Sequence, residues 1–146
     1  MLKRFQGKEG RVALLSALRN QFLVDGNSDI ADKIASATQL EEYAPGTPLF
    51  TQGERGGDLC FILDGKVSVH VDDREMATCS AGMHVGEIGL LESSKERSAT
   101  VIAIDTVVGA HVSQTRFTEI ARIHPELWRR MAMELARRLV KSQSKG

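Results

Sequence analysis

Gly86-Glu87-Ile88-Gly89-Leu90-Leu91, followed after five residues by Arg97-Ser98-Ala99-Thr100-Val101, reads as a glycine-opened helical turn with one carboxylate, a loop, and an arginine and a hydroxyl entering a β-branched strand. Backbone N–H groups at a helix start favour an anion, and a guanidinium brought to the same place offers a planar, permanently charged fork for phosphate oxygens. A carboxylate does not bind phosphate, so Glu87 is read as the acceptor of a sugar hydroxyl. The ligand implied is a compact ribose phosphate. Taken without any wider pattern, the same residues have plainer roles: Glu87 facing the helix dipole, Arg97 in a surface ion pair with Glu92 or Glu96, and Gly86 and Gly89 serving tight backbone geometry.

Outward from that stretch, the chain is helical, then β, then helical. Val12, Leu15, Leu18, Phe22 and Leu23 predict a helix over Arg11 to Val24, and Asp25-Gly26-Asn27-Ser28 ends it and caps a second over Asp29 to Ala37. From Tyr43 the period changes. Pro45-Gly46 and Gly56-Gly57 punctuate, Val67, Val69 and Val71 alternate with Ser68 and His70, and Asp64-Gly65 and Asp72-Asp73-Arg74 are turn signals. Further strands are expected at Met76 to Cys79, Thr100 to Ile104 and Val107 to Val112. Ser113 caps a helix to about Ile123, and Pro125 opens another in which Leu127, Met131, Leu135 and Leu139 form an apolar stripe. The fold class expected is α+β: a β-barrel or jelly roll of about eight short antiparallel strands, flanked by N-terminal helices and a C-terminal helical pair. One domain fills residues 1–146, with N-terminal helices at 1–40, the barrel at 41–112, C-terminal helices at 113–141 and a polar tail at 142–146.

Lysine plus arginine equals aspartate plus glutamate at 19 each, so no global charge recruits nucleic acid or a membrane surface. No apolar run is long enough for a signal peptide or a membrane span, and a cytoplasmic protein is expected. Cys60 and Cys79 fall inside predicted strands, as small buried hydrophobes would. His70, His84, His111 and Cys79 invite a metal site, but the histidines are scattered and no H-x-H pair occurs. Neither metal nor cofactor is expected. There is no G-x-S-x-G elbow, P-loop, H-E-x-x-H or paired-carboxylate arrangement, so the chain reads as a binding module and not an enzyme.

Glu87 and Arg97, spaced within G-E-I-G-L-L-x5-R-S-A-T-V, resemble the phosphate-binding cassette of cyclic nucleotide-binding domains, here residues 86–101. Gly46, Gln52-Gly53-Glu54, Asp58 and Phe61 through Val69 are similar to that family's barrel pattern, and the likeness runs from about Tyr43 to about Lys141. The resemblance implies ligand contacts from Gly86, Glu87, Ile88, Gly89, Arg97, Ser98 and Ala99, with the ribose 2′-hydroxyl on Glu87 and the cyclic phosphate on Arg97 and Ser98. It makes the last helix a hinged lid that closes over the ligand and pairs in a homodimer. Ser142 and Gln143 become candidate base contacts, with Met76 and Ala77 as further ones. In the free protein the donors of Arg97 are expected to be hydrated or loosely paired, and Leu90 and Leu91 to stay covered and repack against the C-terminal helices as the short helix shifts. Arg129, Arg130, Arg137, Arg138 and Lys141 are read as a mostly solvated face.

The Gln21-Phe22-Leu23-Val24 and His124-Pro125-Glu126-Leu127-Trp128-Arg129 segments are also similar to sensor domains of bacterial anti-phage effectors, in which such a domain precedes a TIR-type NAD-degrading domain and responds to cyclic CMP or cyclic UMP. This implies a cyclic nucleotide receptor acting on a fused or separate effector. The alternatives are a stand-alone cyclic AMP-binding regulator and a ligand-free barrel used for dimerisation. A transcription factor complete in this chain is not expected, because no winged helix-turn-helix follows the last helix.

Overall fold

A computed structural model describes residues 1–92 and 96–144, with side chains through residue 141. A short 3₁₀ turn, Leu2–Phe5, buries Phe5 ahead of α1 (Gly7–Arg19) and α2 (Ser28–Ala37). Eight strands follow in order: β1 (Gln39–Tyr43), β2 (Pro48–Phe50), β3 (Leu59–Asp64), β4 (Lys66–Val71), β5 (Arg74–Ser80), β6 (His84–Val85), β7 (Thr100–Ala103) and β8 (Val107–Val112). The five-residue α3 (Glu87–Leu91) lies between β6 and β7, and α4 (Gln114–Ile123) and α5 (Glu126–Ser144) follow the strands.

The strands form two antiparallel four-stranded sheets, ordered β1-β8-β3-β6 and β2-β7-β4-β5, a jelly roll as expected. The first sheet is covered on both faces, which explains the uninterrupted apolar run of β3. Cys60 and Ile62 point into the barrel with Phe50, Val67, Val85 and Val101. Leu59, Phe61 and Leu63 point the other way, into a core shared with Leu18, Ile30, Ile34, Phe117, Leu127 and Met131 of the helices. In β8 the same alternation sends Val108, Ala110 and Val112 to the helices and Val107 into the barrel. Two-sided burial of this kind replaces alternation with a continuous hydrophobic run.

Local signals account for most boundaries. Asn27 accepts from the Ile30 N–H at 2.9 Å and starts α2, and Ser113 caps α4 through the Arg116 N–H. Asp72 and Asp73 take positive φ in the β4–β5 hairpin. The expected first helix is a correction: α1 stops at Arg19, not Val24, because residues 21–24 dock on the barrel instead. Gln21 donates its side-chain amide to the Ile62 carbonyl at 2.9 Å, and the Phe22 N–H donates to the Gly82 carbonyl. Ser68, expected to face solvent, is buried and bonded to His70 at 2.8 Å. Both cysteines are buried free thiols. No helix among the described residues is long and apolar enough to cross a membrane.

Candidate functional site

Gly86 opens the site. Its φ of +91° is a left-handed conformation suited to glycine, and from it the chain turns directly out of β6 into α3. Arg97 is brought opposite by backbone pairing, its N–H donating to the Glu54 carbonyl at 2.6 Å and its carbonyl accepting from the Gly53 N–H at 3.0 Å. Between them lies a cavity of about 110 Å³ lined by Gly86, Glu87, Ile88, Gly89, Arg97, Ser98 and Ala99, with Phe50, Val69, Val85 and Val101 from the strands and Arg138 from α5. All seven residues singled out for ligand contact from the cassette thus line one cavity.

The state of Arg97 differs from the expectation of hydrated or loosely paired donors. The side chain is 6% exposed, its Nη2 donates to Asp58 Oδ1 at 2.7 Å and to the Asp58 carbonyl at 3.1 Å, and its guanidinium lies 3.9 Å from the Phe50 ring centre. Its partner is therefore Asp58, not Glu92 or Glu96. Nη1 is weakly held, at 3.4 Å from the Gly86 carbonyl. Gly89 makes room for this packing: a Cβ there would stand 2.5 Å from Arg97 Nη1 and 2.6 Å from the Gly56 carbonyl oxygen. A buried arginine needs such partners, because an unpaired charge would be strongly disfavoured.

Glu87 is also buried, at 8% exposure. Arg138 donates to its Oε1 through Nη1 and to the His84 carbonyl through Nη2, and His84 Nδ1 lies 3.6 Å from Oε2. Burial pushes the Glu87 carboxyl up, but the imidazole and the Arg138 guanidinium more than offset it and hold it below the usual carboxylate range. Glu87 is thus a buried, ionised acceptor in the cavity wall. Asp58 follows the same logic: burial raises it, and contacts with His111 and Arg97 bring it below its ordinary value.

Of the α5 arginines read as a mostly solvated face, Arg129 and Arg137 are exposed as expected, and Arg130 and Arg138 are the exceptions. Besides Arg138, Arg130 donates to the Phe22 carbonyl at 2.7 Å and pairs with Asp25, while Arg130 and Arg137 stack on Phe22 at 4.5 and 4.4 Å. Sequence spacing put these residues opposite the apolar stripe but could not show that Phe22 and Asp25 would meet Arg130, or Glu87 and His84 meet Arg138. The stripe itself rotates away, since four residues advance a helix by about 400° and so drift about 40° per step. Leu127 and Met131 are buried, Leu135 is half-buried, and Leu139 is exposed.

Leu90 is buried in the helix-side core, and Gln114 of α4 donates to its carbonyl at 2.9 Å; Leu91, expected to be covered, is 47% exposed. Met76 and Ala77, read as base contacts, lie exposed on β5, the edge strand of the second sheet, and do not line this cavity. Ser142 and Gln143 fall outside the residues whose side chains are described. Trp128 packs edge-on against Phe117. Asp58, Phe50 and Arg138 were not identified as site residues from the sequence; for Asp58 the family-like barrel pattern was the available signal.

Residues 40–124 match the model of the cyclic nucleotide-binding domain family. Two curated relatives are Pycsar effector proteins: XpPycTIR of Xanthomonas perforans, 37% identical over 95% of this chain and 46% of its own length, and PaPycTIR of Pseudomonas aeruginosa, 39% identical over 95% and 45%. The chain spans less than half the length of either. Among solved structures, the catabolite activator protein of Thermus thermophilus superposes with a TM-score of 0.75 at 28% identity, covering 86% of this chain and 61% of that one.

Proposed function

This chain belongs to the cyclic nucleotide-binding domain family, and we propose that it is the receptor segment of a bacterial anti-phage effector that binds a 3′,5′-cyclic pyrimidine nucleotide, cyclic CMP or cyclic UMP. The observation that carries the reading is the meeting of a buried guanidinium and a buried, ionised carboxylate in one small cavity, Arg97 on one wall and Glu87 on another. The similarity to Pycsar effector proteins over 95% of the chain supports the setting. The chain acts here as a receptor and not a catalyst.

Arg97 offers Nη1, the end of its fork that is only weakly held, to a phosphate oxygen, and charge-assisted bonds of this kind are about twice as strong as neutral ones. Ser98, exposed at the rim, adds a hydroxyl. Glu87 accepts the ribose 2′-hydroxyl. That hydroxyl then competes with Arg138 for the same carboxylate, so occupancy of the cavity bears directly on the seating of α5. Leu90 and its bond from Gln114 give α3 a second hold on the C-terminal helices. A ligand that prefers one arrangement of these contacts shifts the helices toward it. Met133, Leu139 and Val140, exposed on α5, support a homodimer through this helix, with a fused or separate effector as the recipient of the change.

Titration calorimetry against cyclic AMP, GMP, CMP and UMP, with wild type and Arg97→Ala, tests the reading. Arg97→Ala is expected to lose at least about 30-fold in affinity, equivalent to about 2 kcal/mol. A preference for cyclic AMP would replace the anti-phage assignment with a general regulatory receptor. Binding of none of the four would sink the receptor reading and favour a barrel used for assembly.

A further inference from the structure

Behind Arg97 runs a chain of polar side chains that ligand contact alone does not explain. Arg97 Nη2 donates to Asp58 Oδ1 at 2.7 Å, Asp58 Oδ2 meets His111 Nδ1 at 2.5 Å, and His111 Nε2 meets the Tyr43 hydroxyl at 2.8 Å. His111 is on the barrel side of β8, paired across to Cys60 on β3 and Gln39 on β1. The outer end of the chain opens into a separate cleft of about 480 Å³ lined by Gln39, Glu41, Tyr43, Asp58, His111 and Ser113. Phe50 stands between the two cavities, its ring edge-on to His111 at 5.8 Å and under the Arg97 guanidinium.

On the reading of the first cavity as a cyclic phosphate site, we propose that His111 is a positioning residue for phosphate binding: it shares Asp58 with Arg97, and its protonation loosens the hold of Asp58 on the guanidinium and favours the phosphate. An Asp58 carboxylate facing a neutral imidazole gives most of its attraction to Arg97. Facing an imidazolium, that attraction is partly offset by repulsion between the two cations, and the site also gains positive charge toward an anionic ligand. Tyr43 permits both states, donating its O–H to a neutral Nε2 or accepting from a protonated one. Burial, together with Cys60, Glu41 and Asp58, raises the tyrosine well above its ordinary value, so the phenol keeps its proton throughout. The ionisable groups around the imidazole are Tyr43 and Glu41 on β1, Cys60 and Asp58 at β3, and Arg97 beyond Asp58. Burial raises Cys60, and Asp58 is held ionised, so among those two and Tyr43 none changes charge with the imidazole.

By linkage, binding then takes up protons, and affinity rises as pH falls. The test is calorimetry with cyclic AMP, GMP, CMP and UMP at about pH 5.5 and about pH 8 on wild type, His111→Asn and Tyr43→Phe. Asparagine keeps a donor for Asp58 and cannot titrate. The quantity read is the difference between the profiles of wild type and variant, which cancels any pH dependence arising elsewhere in the site. Wild type is expected to gain about 5-fold more affinity on acidification than His111→Asn, with the two within about 2-fold at the higher pH. Tyr43→Phe, which removes the acceptor for a protonated Nε2, is expected to move the profile to lower pH. Parallel profiles for wild type and His111→Asn, even at a uniformly lower affinity, overturn the inference and leave the receptor reading intact. If His111→Asn does not fold, an unshifted Tyr43→Phe profile overturns it equally. Failure of wild type to bind any of cyclic AMP, GMP, CMP and UMP at either pH overturns both.

Discussion

Two arginines reach the same cavity from different scaffolds. Arg97 sits in a loop stitched by backbone bonds to residues 53 and 54, is 6% exposed, and fills a niche made by two glycines, Gly56 and Gly89. Arg138 comes from α5, with a side chain 27% exposed, and it is held by the carboxylates of Glu87 and Glu134 and the His84 carbonyl. The first is fixed by the barrel; the second is as fixed as the helix that carries it. A recognition group belongs on the rigid part and a reporting group on the part that can move, because only groups whose partners change between states can bias an equilibrium.

The strongest way to break the comparison is to displace Arg97 without deleting it. Gly89→Ala puts a methyl group against Nη1 and the Gly56 carbonyl, so it should cost at least about 30-fold in cyclic nucleotide affinity, close to Arg97→Ala. Calorimetry alongside a thermal melt separates lost binding from lost folding, and unchanged affinity would mean that the guanidinium does not need this seat. Arg138→Ala acts on the other member. It leaves Glu87 buried without its main partner, so urea unfolding should show a loss of about 1–3 kcal/mol, while affinity changes by less than about tenfold because the phosphate anchor remains. A loss of binding as large as that of Arg97→Ala would make Arg138 a recognition residue and erase the distinction. A third variant, Phe22→Leu, removes the ring on which Arg130 and Arg137 stack but keeps an apolar side chain. It should lower stability by about 0.5–1 kcal/mol and raise hydrogen exchange in α5 alone, with affinity unchanged.

The same contrast separates what was legible in the sequence from what was not. Gly86, Glu87 and Arg97 could be placed at one site because their function fixes residue types at a short, recurring spacing. The β8 limits were legible because valines and a flanking serine bound the strand. Asp58, 39 residues from Arg97, and Arg138, 51 from Glu87, meet their partners through tertiary packing, which no local period records. The early end of α1 is of the same kind: helical spacing continued to Leu23, but a buried bond from Gln21 to the Ile62 carbonyl and docking on the barrel outweigh it. The place of Met76 and Ala77 was not legible either, since local alternation does not reveal that the first five residues of this edge strand are exposed on both faces.

The smallest expected effect lies at the base of α5, where the helix carrying Arg138 leaves α4. His124 ends α4 and contacts Glu126 Oε1 through Nδ1 at 2.9 Å and Asp29 Oδ2 of α2 through Nε2 at 2.5 Å. The bond to Asp29 raises the histidine above its ordinary value, with burial working against it and Glu126 adding to it, and the same contact lowers Asp29. A raised histidine contributes stability that is fully present below its unfolded value, about 6.5, and is lost as pH rises through the folded one. A lowered aspartate contributes stability that is lost as pH falls through its folded value. The pair therefore pins α5 to α2 only in the window between the two, and above it the joint loosens while the loop holding Arg97 is untouched. His124→Asn should flatten the fall in melting temperature expected for wild type as pH rises above about 6.5, and leave cyclic nucleotide affinity equal to that of wild type at each pH. Parallel melting curves for the two proteins would show that α5 is held at its base by packing of Leu127 and Met131 alone, and the mobile member of the comparison would then have to be sought nearer the end of the helix.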